Sequence, residues 1–183
     1  NKLSVIIIFP LLARYFSVSD YGKLDFLINI TNFLLVFSVF GQDSALGRFF
    51  NDTNNKTFKR VIISNSLILQ FFSLIFLLFF VIINGNLFLN FFFYEDKELF
   101  KLILFQIPLL LLITFTENLM KWSFSKKQFF IISTGHAVLL ILSALFTIYL
   151  KEDLLYYFKF LIFSEILFSV FCFYSIKDWI RVS

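Results

Sequence analysis

Three carboxylates and one imidazole stand inside tracts that are otherwise close to hydrocarbon: Asp25 in LDFLINITNF, Glu117 in LLITFTENLM, Glu165 in FLIFSEILFS and His136 in IISTGHAVLL. A charged side chain at the centre of a bilayer costs about 2.5–3.5 kcal/mol even on lenient insertion scales, so acids kept there are candidates for ion relays or conformational switches. Histidine is the side chain that titrates near neutral pH when free, and His136 is the only one in the chain. It reads either as a proton relay or as a hydrogen-bonded packing residue. Among the cations, Arg48 in GQDSALGRFF follows two glycines, Gly41 and Gly47. Its guanidinium either grips an anionic headgroup bidentately or anchors the chain at the membrane surface.

These residues belong to polar rows at helical spacing. Asp25, Asn29 and Asn32 fall at i, i+4 and i+7, followed by Ser66, Gln70 and Ser73 further along the chain. Gln106, Thr114, Glu117 and Lys121 form a third row, Ser133, His136, Ser143 and Thr147 a fourth, and Glu165, Ser169 and Cys172 a fifth. Each row occupies one face of a helix, which implies either an interior held together by interhelical hydrogen bonds or a water-lined cavity. Glu117 can also pair with Lys121 at i+4. The acids lie within roughly two turns of expected helix ends, which lessens their cost.

The elements that carry these rows are apolar segments. Of 183 residues, 60% are hydrophobic, 22% aromatic and 15% charged, a balance far from that of soluble domains and proper to polytopic membrane proteins. Six segments can be placed: Leu3 to Phe16, Leu24 to Phe40, Val61 to Ile83, Leu99 to Met120, Phe129 to Leu150 and Phe160 to Ile176. All but the first approach the roughly 20 residues that span a bilayer, and helices satisfy the backbone there, so the expected fold is an all-α membrane bundle. The first segment is short and the chain opens without Met, so a truncated first helix is expected. The turn between the first two helices is placed at Ser17 to Asp20, with Ser19 or Asp20 as N-cap and Gly22 opening the second helix. LFLNFFFY, residues 87–94, is expected at the membrane interface, and Pro108 should kink the fourth helix.

Arg48, Lys56, Lys59, Arg60, Lys121, Lys126, Lys127, Lys177, Arg181 and Lys2 gather on one side of this arrangement. Fewer cations, with Glu95, Asp96, Glu98, Glu152 and Asp153, fall on the other, which orients both ends toward the cytoplasm. The formal charge of +4 is scattered in short clusters, so nothing calls for nucleic acid. Cys172, alone, has no disulfide or metal-ligand companion, and no cofactor is expected. Neither a P-loop nor GxGxxG is present, so nothing points to ATP use. A membrane acyltransferase would use His136 as base, but no carboxylate lies within one helical turn to orient it, and an enzyme is not expected.

Two motifs taken together carry a resemblance. LLARYFSVSDYGKLDF, then a helix leading to FSVFGQDSALGRFF, resembles the N-terminal region of polysaccharide-biosynthesis membrane proteins. These are lipid-linked oligosaccharide flippases of the multidrug, oligosaccharidyl-lipid and polysaccharide exporter superfamily. The matching positions are Ala13, Arg14, Tyr15, Asp20, Tyr21, Gly22, Gly41, Ala45, Arg48 and Phe49. The resemblance implies one six-helix lobe, residues 1–183, of a two-lobe transporter whose second lobe lies outside this sequence. It further implies a polyprenyl-diphosphate-linked oligosaccharide as substrate, in O-antigen or capsule synthesis at a bacterial inner membrane. Glycosyltransferases or a polymerase of the same pathway would be partners, beside the membrane lipids. The residues expected to bind substrate or gate are Arg14, Asp25, Asn29, Asn32, Arg48, Glu117, Lys121, His136 and Glu165. A drug exporter of the same superfamily, with a smaller and more apolar or acidic cavity, and a non-transporting scaffold are the competing readings.

Overall fold

The computed structural model describes residues 2–52, 54–85 and 97–180, and among these every regular element is helical. Seven α-helices follow one another among the described residues: α1 (Lys2–Tyr15), α2 (Val18–Val39), α3 (Gln42–Asp52), α4 (Lys56–Ile83), α5 (Lys97–Trp122), α6 (Lys126–Leu150) and α7 (Leu154–Ile176). A 3-10 turn, Lys177–Trp179, closes the described chain. Helices α2, α4, α5, α6 and α7 are long and apolar enough to cross a membrane, and α1 is a shorter apolar helix. The segment expected at the interface, 87–94, lies outside the described residues, as do Glu95, Asp96 and Arg181.

Side-chain capping sets several helix starts. Ser17 accepts from the Asp20 backbone N–H at 3.1 Å while its hydroxyl donates to the Asp20 carboxylate at 2.7 Å, a reciprocal cap. Helix α2 therefore begins at Val18, and Gly22 lies inside it rather than opening it. Asn55 and Asp153 cap α4 and α7 by accepting from the backbone N–H groups of Thr57 and Tyr156. Helix α2 ends on a left-handed Phe40, φ 48°, followed by Gly41 at φ 72°, a pair that turns the chain sharply into α3. Helix α5 runs continuously through Pro108.

Helix α5 is the axis of the bundle. Half of its apolar stretch is buried, against 22–39% in the other four spans, and it touches α2, α3, α4, α6 and α7. Helix α1 leaves α2 almost at once and packs against α6 instead, while α2 packs against α4. The Tyr15 hydroxyl fixes this arrangement by donating to the Glu152 carbonyl at 2.9 Å. The α1–α2 turn, the start of α5 and the α6–α7 turn thus share one end of the molecule, where Asp20, Lys97 and Asp153 border a recess of about 420 Å³. This is the hairpin end.

The opposite end is built on α3. Sequence patterning had this stretch as a connection; it is an eleven-residue amphipathic helix, with Leu46, Gly47 and Phe50 turned inward. Trp122 lies over Gly47 so closely that a Cβ there would meet the indole at 2.6–2.8 Å. Gly47 thereby lets α3 seat on α5, and the Lys59 ammonium covers the Phe50 ring at 4.2 Å. Replacing Gly47 with Ala should push Trp122 out of its seat, at an overpacking cost of about 1–3 kcal/mol. The expected result is a Tm lower by roughly 2–10 °C in detergent, with a shifted tryptophan emission, while Gly22→Ala, inside α2 with nothing within 4 Å, leaves the emission unchanged and does not lower Tm.

Candidate functional site

Helix α7 begins six residues before the sequence pattern placed it. Asp153 caps it, and Lys159, which looks like a loop residue, lays its ammonium over the Tyr156 ring at 4.8 Å while its stem stays on the helix. Glu165 is consequently eleven residues from each end of Leu154–Ile176, at the midpoint of the span and not near a helix end. It is wholly buried. Gln106 of α5 donates its side-chain amide to Glu165 Oε1 at 3.1 Å. His136 of α6 brings Nε2 to 3.8 Å from the same oxygen, close enough for charge attraction and too long for a hydrogen bond. Glu165 Oε2 and His136 Nε2 have no hydrogen-bond partner among the described residues.

The His136 ring stacks on Phe168 of α7, centroids 6.1 Å apart and planes within 14°. Gly135 makes room for that contact, since a Cβ there would come within 3.0 Å of the phenyl ring. The carboxylate nearest His136 is thus supplied by another helix, 29 residues on, at a distance that attracts the ring without hydrogen-bonding it.

Glu165, His136 and Gln106 border a cavity of about 220 Å³, to which α1 contributes Phe9, α2 contributes Thr31 and Asn32, and α7 contributes Tyr157. The lining is chiefly apolar, with one acid and no Lys or Arg. Such a site can hold water, a proton or a compact cation at the carboxylate. It lies below the roughly 300–1,000 Å³ of pockets that enclose drug-sized ligands, and it offers nothing to a diphosphate.

Of the nine residues singled out from sequence, three meet here: Asn32, His136 and Glu165. Asp25 and Asn29 are exposed on α2, on the same face as Asn32, and the Asn29 amide donates to the Asp25 carbonyl at 2.9 Å. Arg14 and Arg48 are exposed at opposite ends of the bundle. Glu117 is partly buried and forms no ion pair with Lys121 among the described residues; the Lys121 ammonium lies over the Trp122 ring at 5.4 Å instead. Several hydroxyls of the polar rows donate to carbonyls of their own helix, as Thr114 does to Leu110 and Ser143 to Leu139. Ser143 also reaches Ser164 across α6 and α7 at 3.3 Å.

A second polar cluster joins three helices at the α3 end. Asp43 accepts from Gln70 of α4 at 3.3 Å and from Asn118 of α5 at 2.7 Å. Asp43 and Asn118 were not singled out from sequence, because residues 75 apart carry no mutual signal in one chain. No family model, curated protein or solved structure matches this chain.

Burial pushes the Asp43 carboxyl above the ordinary value of 3.8, since it disfavours the charge by more than the amide donors of Gln70 and Asn118 restore. Between that value and the raised one, the folded chain keeps a proton that the unfolded chain has released. Stability from this group is thus present at low pH and is lost as pH rises through the window. Asp43→Asn should flatten the fall in Tm expected of the unaltered chain as pH rises above about 4, at the cost of one of the two hydrogen bonds from Gln70 and Asn118, since Asn keeps a single acceptor oxygen.

Proposed function

We propose that this chain is a transporter lobe in which Glu165 is the ionisable centre that sets the conformational state. The observation that carries this reading is a wholly buried carboxylate at the midpoint of a span, with one oxygen unpartnered and a cavity beside it. In hydrocarbon a carboxylate needs a proton, an imidazolium or a bound cation beside it. Each of those partners can leave, so the charge state of this site is a variable to which helix packing can respond.

As cargo we propose a polyprenyl-diphosphate-linked oligosaccharide, moved across a bacterial cytoplasmic membrane with both described ends on the cytoplasmic side. The paired motifs around Arg14 and Gly22 and around Gly41 and Arg48 support this, as does the gathering of Lys and Arg toward the α3 end. The diphosphate would meet exposed cations such as Arg48 and Lys121 and not the Glu165 cavity, which would serve coupling. A second set of helices would form the opposing wall of the sugar path. One observation favours a second reading: a small, apolar, acidic cavity with Phe9 and Tyr157 in its wall suits an organic cation, as in drug exporters.

The test is reconstitution of the whole gene product in vesicles with a fluorescent polyprenyl-diphosphate saccharide, scoring the fraction protected from a membrane-impermeant quencher. Flipping is expected, and Glu165→Gln should slow it roughly 5- to 150-fold, the span of ordinary coupling energies, with Glu117→Gln near the unaltered rate. No flipping, together with saturable binding of a compact organic cation such as tetramethylammonium, would replace the saccharide with an organic cation. Unchanged flipping in Glu165→Gln would remove the proposed centre.

A further inference from the structure

The row Asp25, Asn29, Asn32 divides the outward side of α2 in two. Leu24, Leu27, Thr31, Leu34 and Ser38 are buried on the opposite side. Phe26, Phe33 and Phe37 form an exposed apolar face beside the row, as a lipid-facing surface should. Along the row itself the character changes with depth: it is polar from the hairpin end as far as Asn32, and four residues on Val36 is apolar and exposed. The polar part stops at the level where Asn32 enters the cavity that holds Glu165.

Both halves of the bundle carry packed apolar clusters, but the cavity is offset toward the hairpin end. Tyr157 and Phe158 line the cavity two turns from Glu165 toward the hairpin end, so open space extends that way. Toward the α3 end, Ile113, Phe115, Leu119, Ile132 and Cys172 are 0–1% exposed and pack into one apolar cluster. Asp43, Gln70 and Asn118 tie α3 to α4 and α5 at that end.

We propose that water, and the protons or small cations it carries, reach Glu165 from the hairpin end along Asp25, Asn29 and Asn32 in the seam between α1 and α2, and do not reach it from the α3 end. The unpartnered Glu165 Oε2 and His136 Nε2 are the groups that receive them. An exposed aspartate and two amides on a spanning helix then need no lipid-facing account: they are wetted from one side. This inference rests on the spanning bundle and is independent of what the chain transports.

Accessibility of introduced thiols tests it. In the whole gene product carrying Cys172→Ala, Asn29→Cys and Asn32→Cys are exposed to a membrane-impermeant methanethiosulfonate from each side of oriented vesicles. Ser19→Cys reports the hairpin side, Ala45→Cys the α3 side and Phe33→Cys the apolar face. Both test thiols should react from the side that labels Ser19→Cys, at least about tenfold faster than Phe33→Cys, and should resist the side that labels Ala45→Cys. Reaction from the Ala45→Cys side, or rates equal to Phe33→Cys, would overturn the proposal. A second measurement leaves the test positions intact: a water-soluble carbodiimide added from the hairpin side should modify Glu165 in the unaltered chain, and Asn32→Val should slow that at least about tenfold. Modification from the α3 side only would refute one-sided access.

Discussion

Everything in this bundle is arranged around the demand that a carboxylate at mid-span be satisfied from inside the protein. Lipid supplies no donors, and Glu165 finds one in Gln106 of α5 and an imidazole from α6. Those contacts draw α5, α6 and α7 into the tightest part of the structure. The remaining oxygen is left to the cavity, and the role proposed for Glu165 rests on that incompleteness. A fully bonded buried network would merely specify packing, whereas a half-bonded one keeps room for an exchangeable partner.

The rest of the polar content is handled more locally. Thr31, Ser38, Ser143 and Thr147 return their hydroxyls to carbonyls one turn back on their own helices, so they need nothing from a neighbour. Their regular spacing resembles a hydrogen-bonding seam but is mostly self-contained. Small hydroxyl side chains at these positions let helices approach closely without leaving donors stranded.

The apolar segments were readable because length and hydropathy act residue by residue, and all six map onto helices, three of which start five or six residues earlier than the apolar run. Errors cluster where a local contact overrides composition. Ser17 rather than Ser19 or Asp20 caps α2, because its side chain reaches the Asp20 N–H. Lys159 reads as a helix boundary until its ammonium is seen above Tyr156. Helix α3 hid in a polar connection because its inward face is carried by Leu46, Gly47 and Phe50, too few for a spanning pattern. In the site, Glu165 and His136 were visible as misplaced polarity, while their meeting depends on how α6 and α7 pack. The Asp43 cluster depends likewise on three helices at once.

The seating of α1 has a consequence for how the chain is made. Its contacts are with α6, and its terminal Tyr15 hydroxyl bonds a carbonyl 137 residues later. At synthesis rates of about 5–20 residues per second, α1 must wait roughly 7–30 s before its partner leaves the ribosome. During that interval it can rest only beside the helices made before α6, lipid or the insertion machinery. The wall of the Glu165 cavity is therefore the last part of the bundle to be assembled, and a nascent chain stalled before α6 carries the α2 polar row with no chamber beside it.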